Sequence, residues 1–178
     1  MRALRADEIE VRVGQVYDSK VSMLLYKTAR TDMTILDETF GEFGWQNRYE
    51  ERKGIMYCAI GVLNEASGDW VWKEDCGTES NTEKEKGEAS DAFKRAGVKW
   101  GIGRELYTSP RIYLDVATVK DGNRYKLNDP RELYGIYVSH IKTEDVNGRL
   151  EIKELELSQK AYNKDMVVYQ YPKKGGRR

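Results

Sequence analysis

Residues 45–77 confine the fold more than any other stretch of this chain. WQNRYEER, GIMYCAIGVL and DWVWKEDCG read as strands, and the links RKG and EASGD carry turn residues. Links this short join antiparallel neighbours, so the spacing predicts a three-stranded meander. Such a sheet needs a cover on one face. The segment EKEKGEASDAFKRAGVKW supplies one: at about 100° per residue, Ala89, Ala92, Phe93, Ala96 and Trp100 share a face that Gly97 extends. The expected class is α+β, with an antiparallel meander packed against one long helix as a β-β-β-α core.

The flanks add strands. EIEVRVGQVY and VSMLLYK, within residues 7–27, read as one or two strands. A short helix follows in TDMTILDETFG, with Thr31 or Asp32 as its cap, Ile35, Leu36 and Phe40 as its apolar set, and Gly41 as its stop. Thr82 and Glu85 have the spacing of a capping box at the start of the long helix. Beyond Tyr107, SPRIYLDVATVKDGNRYKL is irregular to strand-like. The segment YGIYVSHIKTEDVNGRLEIKELEL is a C-terminal hairpin candidate, because Asn147-Gly148 suits the turn that matches strand twist. Nothing repeats, so residues 1–170 are expected as one domain and the basic stretch 171–178 as a disordered tail.

Composition narrows the function classes. Among 178 residues, Lys+Arg and Asp+Glu both number 30, so only a local arrangement of charge could attract a polyanion. No apolar run approaches the ~20 residues of a membrane helix. The opening MRALRADEIEV lacks the hydrophobic core of a signal peptide, and a cytoplasmic location is the expectation. Cys58 and Cys76 fall on neighbouring strands, where a disulfide is conceivable but buried thiols fit a reducing compartment better. With His140 the only histidine, a zinc site has little to build on, and a structural or surface role is expected for it. No phosphate loop ending in Lys-Ser/Thr is present, so ATP hydrolysis is not expected. Glu51-Arg52-Lys53 and Glu151-Ile152-Lys153 match the acid-x-lysine pattern of metal-dependent nucleases, a pattern that chance also produces in a chain 34% charged.

The long helix poses the sharper question. Lys84, Asp91, Lys94, Arg95 and Val98 lie opposite its apolar face, with Lys99 at the edge. A solvated face explains this, with Asp91 paired to Arg95 at i, i+4. A phosphate track also explains basic residues gathered toward the helix end. Gly87 and Gly97 each cost up to ~1 kcal/mol relative to alanine, which suggests that another backbone passes close by. Trp45 and Trp100 suit core packing, whereas Trp70 and Trp72 share one strand face and could stack on bases.

DETFGEFGW, the strands around MYCAIGVLNEASGDWVWKEDCG, and EKEKGEASDAFKRAGVKWGIG together resemble, in order, the single-strand annealing proteins of the Rad-fifty-two/Rad-twenty-two type, in their short phage and prophage form. The resemblance spans roughly residues 30–107. It implies a β-β-β-α core that assembles into rings, with single-stranded DNA in a basic groove contacted by Lys94 and Arg95. Lys99, Arg104, Arg30 and Lys27 are further candidates for that groove, and Lys73, Lys84 and Lys86 for a second DNA site. The chain departs from the eukaryotic pattern at Val98, where those members carry arginine, and at Glu42, where they carry tyrosine.

The expected function is therefore ATP-independent binding and annealing of single-stranded DNA in recombination or break repair, without enzymatic turnover, cofactor or metal. The partners would be DNA, further copies of the chain in a ring or filament, and a recombinase, single-strand-binding protein or exonuclease of the same system. The setting would be a bacterial or phage-infected cell. A protective binder that does not anneal is the alternative and a structural phage protein is third, with a metal-dependent nuclease weighed as a lesser reading.

Overall fold

The computed structural model describes residues 1–78, 84–160 and 164–173, the side chains of residues 84–86 excepted. In chain order the strands and helices are β1 (Glu10–Tyr17), β2 (Lys20–Tyr26), α1 (Ala29–Phe40), β3 (Trp45–Arg52), β4 (Ile55–Asn64), β5 (Asp69–Cys76), α2 (Lys84–Lys99), β6 (Ile112–Asp115), β7 (Thr118–Asp121), β8 (Arg124–Leu127), β9 (Ile136–Val146), β10 (Arg149–Gln159) and β11 (Met166–Tyr171). The class is α+β with antiparallel sheets, and the described α-helices are two, of 12 and 16 residues. The chain divides into two compact units. One comprises Met1–Leu4 with Lys27–Arg104, the other Arg5–Tyr26 with Glu105–Arg178.

The first unit holds the meander, in the order β3-β4-β5. Its register places Trp45 opposite Val62, Asn47 opposite Ile60 and Tyr49 opposite Cys58, and continues to Val71, Lys73 and Asp75 on β5. Side chains alternate across a sheet, so this set makes one face, and α2 lies against β4 and β5. Cys58, Ile60, Ala92, Phe93 and Ala96 are fully buried there, as the 3.6-residue period of the helix requires. Trp45 meets Phe93 edge-on at 6.1 Å, and Trp100 meets Phe40 at 6.3 Å.

Helix α1 begins three residues earlier than its sequence suggests. Thr28 is the cap, its Oγ1 accepting from the Thr31 amide at 3.2 Å. Asp32 cannot serve, because its carboxylate turns inward. Ile35 and Leu36 are buried beside it, and Gly41, at φ 75°, ends the helix. The expected capping pair Thr82 and Glu85 lies outside the described residues and side chains.

Cys58 and Cys76 are both free thiols. Cys58 sits opposite Asp75, so Cys76, one residue on, points to the other face of the sheet, and the conceivable disulfide is excluded by parity. Burial pushes the Cys58 thiol up to about 11, which leaves it a packing residue rather than a nucleophile.

The second unit contains the sheet β1-β2-β6, the hairpin β7-β8 and the sheet β9-β10-β11. Asn147 and Gly148 turn between β9 and β10 with φ 56° and 78°, the positive angles that a tight hairpin needs. Val138, Ile152, Leu155 and Leu157 are its buried apolar residues on those strands. Strand β11 extends the expected hairpin to three strands by pairing with β10, and Tyr171, expected in the tail, is its last residue. Residues 174–178 lie outside the described residues.

Candidate nucleic-acid interface

Helix α2 turns its apolar stripe to the sheet and leaves Lys94, Arg95 and Lys99 outward, with side chains 29%, 44% and 48% exposed. Acids stand beside each. Lys94 lies 3.8 Å from Asp91, one helical turn back. Arg95 does not take Asp91, the partner expected for it on its own helix. It reaches Asp75 on β5 at 3.4 Å, and Lys99 approaches the same carboxylate at 3.4 Å. Asp91 instead accepts from the amide and hydroxyl of Thr78, at 3.1 and 3.0 Å. Burial alone would raise the pKa of Asp75. The Cys76 amide and the two cations outweigh it and hold the carboxyl below the usual range.

The end of α2 gathers more positive charge. Arg104 donates to the carbonyls of Val98 and Lys99, each at 2.7 Å, and Lys73 donates to the Lys99 carbonyl at 3.2 Å while lying over the Trp100 ring at 4.1 Å. Both cations satisfy carbonyls that a helix C-terminus leaves unpaired, and both favour the negative end of its dipole. Arg104 and Lys73 therefore have structural work in the protein as it stands. Lys73, Lys94, Arg95, Lys99 and Arg104 outnumber Asp75, Glu88 and Asp91 among the described side chains, so the outward side and end of α2 are locally basic in a chain of zero net charge.

Of the two cations expected before α1, Arg30 is exposed, with no carboxylate partner among the described residues. Lys27 is not. It is 5% exposed, and its ammonium is bound to Asp32 and to the Lys94 carbonyl. A buried, paired lysine cannot face a groove, so that expectation is corrected. Lys84 and Lys86 have side chains outside those described.

Sequence reading also missed a stack on the far face of the meander. Arg48 lies over the Trp72 ring at 4.4 Å, with Trp70 6.3 Å from Trp72. Nearby, Arg52 lies over Tyr57 at 4.8 Å and pairs with Glu50 and Glu74 at 2.7 and 2.9 Å. The parity of Trp70 and Trp72 was visible in the sequence; the arginines opposite them needed the register. Here the acids match the cations, which suits packing more than phosphate binding.

The remaining chemistry is sparse. His140 is an exposed residue of β9, 3.2 Å from Glu154. Lys53 sits in the turn between β3 and β4, and Lys153 is paired with Glu151 at 2.9 Å. Among the described residues no group of three or more His, Cys, Asp or Glu is placed to hold a metal ion. No described helix is long and apolar enough to cross a membrane.

A family model for the Rad52/22 family double-strand break repair protein matches residues 1–123. The chain belongs to that family. No curated protein and no solved structure matches the chain. The Rad52/22 match takes in the β-β-β-α unit and continues through β7, whereas the sheet β9-β10-β11 lies beyond it. Membership places the chain in DNA repair and recombination. The matched residues include α2, with Lys94, Arg95 and Lys99 on its outward side.

Proposed function

We propose that this Rad52/22 chain binds single-stranded DNA and anneals complementary strands without nucleotide or metal. The observation that carries the reading is the outward pair on α2, half-buried Lys94 and exposed Arg95, backed by the apolar stripe that fixes the helix on the meander. Surface ion pairs such as Lys94–Asp91 and Arg95–Asp75 contribute about 0–1 kcal/mol each, so a phosphate can take over either cation at little cost. Neutralising one strand's phosphates lowers its repulsion toward a second. Holding the backbone against the protein leaves the base edges free to find a complement, and base pairing drives the reaction.

The same reading includes an oligomer, a ring or filament of this chain, acting in the cytoplasm of a bacterial or phage-infected cell. A recombinase, single-strand-binding protein or exonuclease would be its companion. The deciding experiment is annealing of fluorescent complementary oligonucleotides in EDTA without nucleotide. Annealing faster than the spontaneous rate supports the proposal. Tight binding that slows annealing would make the chain a protective binder. Strand cleavage appearing only with magnesium would make it a nuclease, with Glu51 and Lys53 as the first residues to replace.

A further inference from the structure

Lys27 precedes the Thr28 cap of α1, and its ammonium reaches across to α2. It donates to both carboxylate oxygens of Asp32, at 2.7 and 2.5 Å, and to the carbonyl of Lys94 at 3.1 Å. Asp32 is in the first turn of α1 and is fully buried; Lys94 is in the second half of α2. Room for this arrangement comes from glycine. A Cβ on Gly97 would sit 2.6 Å from Asp32 Oδ2, and one on Gly103 would sit 2.7 Å from Lys27 Cδ. The close approach expected at Gly97 is thus made by a carboxylate of the same chain, not by a passing backbone.

A buried ion pair is a poor device for stability alone. Desolvation costs several kcal/mol per ion, and well-packed apolar residues of similar volume commonly do as well or better. What the pair adds is direction. An ammonium bound to two carboxylate oxygens and a carbonyl accepts one axial and rotational setting of α2 on α1, whereas apolar side chains tolerate sliding. The carbonyl it grips belongs to Lys94; Arg95 is the next residue, and Arg30 lies two positions before Asp32 on α1. A single strand presents its phosphates in sequence along a groove, so cations on two helices can serve it together only if the helices keep a set relation.

We propose that Lys27 and Asp32 are positioning residues for single-strand binding: together they lock α2 against α1 and hold Lys94 and Arg95 in a fixed relation to Arg30. This rests on the reading of α2 as a DNA-binding helix. The test compares four full-length proteins: wild type, Lys27→Met/Asp32→Leu, Lys94→Ala/Arg95→Ala, and all four changes together. Each is titrated with a labelled oligothymidylate across a salt series, with circular dichroism and urea midpoints read alongside.

The Met/Leu protein is expected to fold and to bind at least about fivefold more weakly, while the same change causes no further loss once Lys94 and Arg95 are alanine. Its log–log salt dependence should flatten by about 0.7 for each phosphate no longer neutralised. Simple loss of folded protein would leave that slope unchanged. Wild-type affinity in the Met/Leu protein, equal losses in both backgrounds, or an unchanged slope would each overturn the positioning role while leaving α2 as the DNA helix. If Lys94→Ala/Arg95→Ala binds like wild type, the DNA reading of α2 fails and the positioning role falls with it. Should the Met/Leu protein not fold, Asp32→Asn, which preserves side-chain size, is read by the same slope and judged by the same outcomes.

Discussion

The Asp75 carboxylate on β5 lies 3.4 Å from the Arg95 guanidinium on α2, across the seam between sheet and helix. Lys99 competes for the same group. An acid placed here does for the free protein what phosphate would do in a complex.

Replacing Asp75 with asparagine should therefore raise affinity for single-stranded DNA several-fold at low salt, because two cations lose their intramolecular competitor. The gain should shrink as salt rises and screens the charges. Fluorescence anisotropy with wild type and Asp75→Asn at two salt concentrations checks it. An unchanged or lowered affinity in a folded variant would place the strand elsewhere than along Arg95 and Lys99.

Gly97→Ala offers a test of opposite sign to the usual rule. Alanine in place of a helical glycine ordinarily gains up to about 1 kcal/mol. At this position the new methyl group meets Asp32 Oδ2, an oxygen held in place by Lys27. The expected result is a net loss of roughly 1–3 kcal/mol, as for other overpacked sites, measured by urea unfolding. A stabilised variant would show that α1 and α2 separate without resistance.

Asp32 also makes stability depend on pH. Burial pushes its pKa up to about 6, outweighing the attraction of Lys27 and, from α2, of Lys94. The native state keeps the proton to about pH 6, whereas the unfolded chain releases it near the ordinary value of about 4. Between those values the native state binds more protons, so this group's contribution to stability falls as pH rises from about 4 to about 6 and is level above. Urea midpoints of wild type and Asp32→Asn should differ by a changing amount within that window and by a constant amount from about pH 7 to 8. A difference that is constant throughout would mean that Asp32 does not titrate there.

The order β3-β4-β5 leaves β3 and β5 as edges of the described sheet, and exposed edges invite pairing with another chain. Light scattering should return a mass several times that of one chain at micromolar concentration. A single-chain mass with and without an oligonucleotide would remove the ring from the proposal. Gly97 has no bearing on this, since Asp32 of the same chain accounts for it.

The meander and its turns were legible because both strand links are short and the paired segments are neighbours in sequence. The buried stripe Ala92, Phe93, Ala96 followed from helical period, and the β9–β10 turn followed from Asn147-Gly148. Pairings over distance were not legible. Lys27 and Arg30 are both cations near the start of α1, and nothing local says which one is buried. That depends on the Lys94 carbonyl 67 residues away and on a gap left by a glycine in another helix. Asp75 was equally hidden, since its claim on Arg95 requires the strand register and the helix position together. Strand β11 was missed because a six-residue segment acquires its identity only from β10 beside it.

Strand β2 pairs with β1 on one side and with β6 on the other, bringing Ser22 beside Tyr113. Between those two residues the chain completes the whole meander and both helices. As the polypeptide leaves the ribosome, the hairpin β1–β2 emerges first but lacks its third strand until everything from Lys27 to Arg104 has been made. The meander, whose strands join immediate neighbours, has no such wait, and local pairings of that kind form faster than distant ones. The topology thus imposes a timetable in which the segment bearing Lys94 and Arg95 can assemble while the sheet begun before it is still unfinished.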